Sequence, residues 1–191
     1  MRPATGWKET DIHLVPLFEV ADRWYTVYMD VFNQSQWEQK QKEYEQELRA
    51  RKEMEARTID AIGIGQMQPE RDHNLDSDKS NVGEFGGHKW RDARDGGWFA
   101  FDMKVLPDAP MELVCTYWGG DSSGREFDIL VDDVKIAAQR LNNDKPGKFW
   151  DATYAIPQEL TKGKDKVRIK LAAHPGRMAG GLFDCRVLKK Q

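Results

Sequence analysis

From Gly97 onward, apolar and polar residues alternate in short runs separated by turn residues. The run GWFAFDM (97–103) puts Phe99, Phe101 and Met103 on one face, and MELVCTYW (111–118) follows after a turn containing proline. EFDILVDD (126–133) aligns Phe127, Ile129 and Val131, and an acidic two-residue turn leads into VKIAAQRL (134–141). FWDATYAI (149–156), KVRIKLAAH (166–174) and GLFDCRVL (181–188) complete the series. In KVRIKLAAH the inward face is Val167, Ile169 and Leu171, with Arg168 and Lys170 on the other. Successive side chains of a strand point to opposite faces, so this period-2 pattern marks half-buried strands. About seven such runs with Gly, Pro and Asp between them predict a mostly β chain, an antiparallel β-sandwich of jelly-roll type.

The pattern is different before Gly97. IHLVPLFEVADRWYTVYMDVF (12–32) is rich in strand-forming residues and is interrupted by ADR. It predicts a β-hairpin within residues 1–34, with Pro16 marking an edge or a bulge. SQWEQKQKEYEQELRARKEMEARTID (35–60) lacks Gly and Pro and predicts one long charged helix. Ser35 and Glu38 have capping-box spacing. Glu38/Lys42, Glu45/Arg49, Glu47/Arg51 and Glu53/Arg57 have the i,i+4 spacing that supports a helix by about 0.2–0.5 kcal/mol per pair. Its apolar stripe, Trp37, Tyr44 and Leu48, is thin, as expected of a connecting helix on a surface. Residues 61–96 read as a loop-rich bridge, and the sandwich is expected over 97–191 with parts of that bridge.

Composition narrows the function classes. With 29 Lys and Arg against 32 Asp and Glu, the net charge is −3, which lacks the basic excess of a nucleic-acid binder. No stretch approaches the roughly 20 apolar residues of a membrane span, and the first residues do not read as a signal peptide. Cys115 and Cys185 both fall in strand-like runs and read as buried thiols. A disulfide between them would need a Cα separation of roughly 4.4–6.8 Å, which sequence does not supply.

Seven tryptophans are many for 191 residues. Indole offers a flat apolar face with a polar edge, suited both to a core and to stacking on a sugar ring. Trp90 and Trp98 in KWRDARDGGW, and Trp118 beside Asp121 and Arg125 in YWGGDSSGR, are the candidate carbohydrate-binding residues. Asp and Arg would hold the hydroxyl groups, and Trp118 is expected at an exposed strand end. DHNLDSDKSN (72–81) offers Asp72, Asp76 and Asp78 as hard oxygen ligands for a structural calcium ion, although the spacing is not that of an EF-hand. No other cofactor is expected. Asp92, Asp95, Asp121 and Asp128 are available carboxylates, but glycoside hydrolysis needs a pair about 5–9.5 Å apart, and nothing in the spacing marks one out. The chain itself therefore reads as non-catalytic.

The strings LVPLFEVADRWYTVYM (14–29), QPERDHNLDSDKSNVGEFGGHKWRDARDGGWFAFDM (68–103), TYWGGDSSGREFDILVDD (116–133) and AAHPGRMAGGLFDCRVL (172–188), with the glutamate-rich helix, resemble the C-terminal region of glycoside hydrolase family 127-like proteins of the β-L-arabinofuranosidase type. The resemblance covers nearly the whole chain. It implies a bacterial parent glycosidase whose metal-linked cysteine nucleophile lies in a separate α-helical barrel, and a periplasmic or extracellular location. This chain would be an accessory β-sandwich that packs against or positions the catalytic part, or alternatively a carbohydrate-binding module for plant-type glycans. Its partner would be the parent's catalytic domain or a glycan.

Overall fold

The structure is a computed structural model that describes residues 32–122 and 124–190. The hairpin expected from Ile12 to Phe32 lies, but for Phe32, outside them. The first element, helix α1 (Gln34–Arg57), has no buried residue. Its cap is Asn33, not Ser35: Gln36 N donates to Asn33 Oδ1 (2.9 Å) and Asn33 N donates to Gln36 Oε1 (3.0 Å). This is a capping box two residues earlier than the sequence suggests, because Asn serves as well as Ser and Gln as well as Glu. The side-chain pairs also differ from those expected. Arg51 meets Glu55 (3.0 Å) and Lys40 meets Glu43 (3.7 Å). Arg57 turns instead to the sheet, donating to the Lys189 carbonyl (2.9 Å) and pairing with Glu112.

Residues 61–96 are not a loop-rich bridge. Strand β1 (Thr58–Ile62), the short helix α2 (Met67–Asp72), β2 (Asp76–Phe85) and the first half of β3 (His88–Lys104) occupy most of them. The rest follows the sequence pattern closely: β4 (Met111–Trp118), β5 (Arg125–Val131), β6 (Val134–Leu141), β7 (Phe149–Ile156), a single turn α3 (Gln158–Thr161), β8 (Lys166–Ala173) and β9 (Met178–Lys189).

The strands form an antiparallel β-sandwich. One run is β6–β5–β8–β3–β2, and the other is β1–β9–β4–β7. Strand β3 joins them: Arg91–Arg94 pair with β9, and Trp98–Lys104 pair with β8. Between these halves Asp95 (φ 48°) and Gly96 (φ 73°) take left-handed conformations. A Cβ at Gly97 would lie 2.6 Å from the Asp78 carbonyl oxygen. The sequence RDGG therefore bends one long strand at a bulge rather than starting a new one.

The inward faces meet as the alternation predicts. Phe99, Phe101, Met103, Leu113, Tyr117, Phe127, Ile129, Ile169 and Leu171 are fully buried. Burying such a side chain contributes about 1.5–3 kcal/mol. Cys115 and Cys185 face each other across β4 and β9 as free, buried thiols with sulfurs 3.9 Å apart. Burial and the neighbouring Cys115 push the Cys185 thiol well above its ordinary pKa. Among the described residues, no helix is long and apolar enough to cross a membrane.

Helix α2 is fixed by a buried ion pair. Arg91 Nε and Nη2 donate to Glu70 Oε1 (2.8 Å) and Oε2 (2.7 Å). Its Nη1 donates to Ser80 Oγ (2.8 Å), and Glu70 Oε1 also accepts from Gly65 N (2.7 Å).

Candidate glycan-binding site

The β2–β3 turn, the end of β4, the start of β7 and the middle of β9 converge on an aromatic cluster. Phe149 is its centre. Ring centroids lie 5.0 Å away at Trp118, 4.8 Å at Phe183, 4.7 Å at His88 and 6.5 Å at Phe85. Phe85 is in turn 5.0 Å from Trp118. Trp118 is only half-exposed, so it is the wall of a cluster and not the free platform expected at a strand end. The glycines after it serve close packing. A Cβ at Gly119 would collide with the Lys145 carbonyl (1.9 Å), and one at Gly120 would lie 2.5 Å from Trp118 Nε1. Phe149, Phe183 and His88 also line an open groove of about 840 Å³, whose polar lining includes Thr116, Asp184 and Arg186.

A polar cluster adjoins the aromatic one. Asp121 N donates to the Trp118 carbonyl (3.2 Å), placing the Asp121 side chain against Arg125, with Oδ1 3.2 Å from Nε. Asp92, on β3, is 1% exposed. Among the described residues, Asp92 Oδ1, Asp121 Oδ2 and Arg125 Nη1 are buried without a hydrogen-bond partner. Burial holds the Asp121 carboxyl above its ordinary pKa, Arg125 opposes this, and the charge of Asp92 adds to it. Gly181 joins the two clusters. A methyl group there would sit 3.6 Å from Phe183 Cε2, 3.7 Å from Trp90 Cβ and 3.8 Å from Arg125 Nη1. The Trp90 indole packs over Gly83, its cross-strand partner, where a Cβ would approach the ring to 2.3 Å.

Four of the five residues singled out from the sequence, Trp118, Asp121, Arg125 and Trp90, thus come together. Trp98 does not. It lies beyond the bulge on β3, with Lys170 Nζ 4.7 Å over its ring, beside a small surface pocket with Asp76, Asp133 and Arg168. Sequence reading missed Phe85, Phe149 and Phe183, which come from three separate strands or strand ends.

The expected calcium ligands do not converge. Asp72 accepts from Gln68 (2.7 Å) at the end of α2, Asp76 accepts from Ser77 N (2.8 Å), and Asp78 is exposed on the edge strand β2. Among the described residues, no three His, Cys, Asp or Glu side chains are grouped to hold a metal ion. The remaining carboxylates are engaged locally. Asp95 Oδ1 accepts from Gly176 N (3.0 Å). Asp128 meets Lys135 (2.7 Å) and His174 (2.9 Å).

No curated protein sequence matches the chain. Among solved structures, it is similar to a family 35 carbohydrate-binding module from an environmental isolate. That match has a TM-score of 0.54 at 14% identity and covers 68% of this chain and 93% of that one. A family 35 module from Clostridium thermocellum matches with a TM-score of 0.48 at 11% identity, covering 61% and 93%. The likeness to the first shows that the two share a β-sandwich fold. A family of unknown function, DUF6805, matches residues 53–188, and the chain belongs to that family.

Proposed function

We propose that this chain is a non-catalytic carbohydrate-binding module. The observation that carries the reading is the joining, through Gly181, of an aromatic cluster to a cluster of carboxylate and guanidinium groups in which, among the described residues, three buried atoms lack a hydrogen-bond partner. Sugars have apolar ring faces and hydroxyl edges, and a site for them needs both surfaces side by side. The fold shared with a family 35 carbohydrate-binding module supports the reading. In the wider context implied by the family 127-like resemblance, the module serves a glycosidase whose chemistry lies in another domain, and the glycans are of plant type. The test is affinity electrophoresis and calorimetry of the chain against arabinan and a broad glycan panel. Binding is expected, with at least a tenfold loss in Trp118→Ala. A flat response across the panel would overturn it in favour of a scaffold that packs against the catalytic part.

A further inference from the structure

Resting on that reading, we propose that the open groove of about 840 Å³ is where the glycan binds, and that its guest is a segment of an uncharged polysaccharide. Three parts of the chain line the groove: residues within 63–69 at the start of α2, the β2–β3 turn, and strands β4 and β9 through Thr116, Asp184 and Arg186. Its volume falls within the about 300–1,000 Å³ of small-molecule sites. Phe149 and Phe183 line it as half-buried rings, so the aromatic cluster meets solvent here. Thr116 and Asp184 are cross-strand partners, and Arg186 lies two residues further along β9, so the three share one face of the sheet. Arg186 Nε donates to Asp184 Oδ2 (2.6 Å), and the two side chains stay 33% and 32% exposed. That bond uses one of the five donors of a guanidinium and leaves the carboxylate able to accept more. Thr116 Oγ1 donates to Asp151 Oδ1 (2.6 Å), and its oxygen can still accept. Donors and acceptors for sugar hydroxyls therefore stand in reach of solvent, beside rings suited to the apolar face of a sugar.

The charges along the groove are already matched, and this sets the class of guest. Asp184 holds Arg186, and Glu84 stands opposite Lys89 in the β2–β3 register. A uronate or a sulfate ester approaching either cation meets the carboxylate beside it, and like charges set together weaken binding. An amino sugar meets the same obstacle from the cations. A neutral ring avoids both, because its hydroxyls donate to Asp184 and accept from Arg186 without adding charge.

The groove can be blocked without touching its polar residues. Met67 lines it and is 78% exposed, whereas Cys115 and Cys185 are buried. In Met67→Cys a bulky maleimide will therefore react at the introduced thiol alone. Val134→Cys, at a 50% exposed position on β6 outside the groove, is the control. Both full-length variants, labelled and unlabelled, are titrated with arabinan, galactan, xylan and polygalacturonate. Arg186→Ala is titrated alongside, and thermal melting checks every fold. A neutral polysaccharide is expected to bind wild type, the unlabelled variants and labelled Val134→Cys alike. Labelled Met67→Cys and Arg186→Ala are each expected to bind it about tenfold or more weakly. Should Arg186→Ala fail to fold, the label decides. If the labelled Met67→Cys or the folded Arg186→Ala binds as wild type does, the groove is not the site, although the module reading stands. Tighter binding of polygalacturonate than of the neutral polymers likewise overturns this proposal alone. If none of the four polysaccharides binds the wild type, both readings fall.

Discussion

Arg91 and Asp92 are consecutive residues of β3, and each belongs to a buried charged cluster. Around Arg91 the bonding is complete: Glu70 takes two of its donors and Ser80 a third, while Glu70 also receives the Gly65 amide. Around Asp92 it is incomplete: Arg94 Nη2 lies 3.7 Å from one carboxylate oxygen, but among the described residues three buried atoms of Asp92, Asp121 and Arg125 have no hydrogen-bond partner. Successive strand residues face opposite ways, so one strand carries a closed cluster and an open one side by side. A closed cluster fastens helix α2 and leaves nothing for a guest. An open one costs stability until something fills it.

The largest expected effect falls on the closed side. Arg91→Ala would strand the Glu70 carboxylate, and breaking a buried pair in this way costs about 3–5 kcal/mol. Chemical denaturation should show that loss. A change below 1 kcal/mol would mean that water reaches Glu70 and that the two clusters do not differ as described.

Asp121→Asn probes the open side and should move stability far less, and in the other direction. Burial and the Asp92 charge outweigh Arg125 and raise the Asp121 pKa in the fold. Its charge is thus a net cost to the folded state at neutral pH. That cost is full above the raised pKa, shrinks as pH falls through it, and vanishes below the ordinary value of 3.8. The Asn variant should therefore equal or exceed wild type in melting temperature at pH 7, and its advantage should narrow as pH falls toward 3.8. A clear drop in stability at pH 7 would show that the Asp121–Arg125 pair stabilises the fold, as the Arg91–Glu70 pair does.

These two clusters also show what sequence can and cannot deliver. Strands β4, β5 and β8 are legible because their buried faces repeat every second residue. Strand β2 is not legible, because as an edge strand with almost every residue exposed it needs no apolar face. The first half of β3 is hidden for another reason. Its buried positions carry Asp92 and the small Ala93 in place of large apolar residues, and RDGG at the bulge looks like a turn. Trp118, Asp121 and Arg125 are legible as a group because one loop places them together. Asp92 is indistinguishable from the other aspartates until β3 is set against β9. Phe149 and Phe183 alternate within ordinary strands, and only the pairing of β4 with both β7 and β9 brings them to Trp118. Trp98 misleads because eight residues of one strand separate it from Trp90, with the bulge between them.

The smallest effect marks the far end of the comparison, where charge is neither closed in nor left open but solvated. Arg51 and Glu55 on α1 lie 3.0 Å apart, with side chains 78% and 55% exposed. Water satisfies both ions almost as well as they satisfy each other, and salt screens what remains. Arg51→Ala should therefore change stability by no more than about 0.5 kcal/mol. The same arginine-to-alanine change at Arg91 should cost several times as much, because the side chains of Arg91 and Glu70 are only 11% and 10% exposed and little water can take the place of the lost partner. Comparable losses at the two positions in denaturant titrations would show that burial does not set the worth of these pairs, and the contrast between the clusters would fail with it.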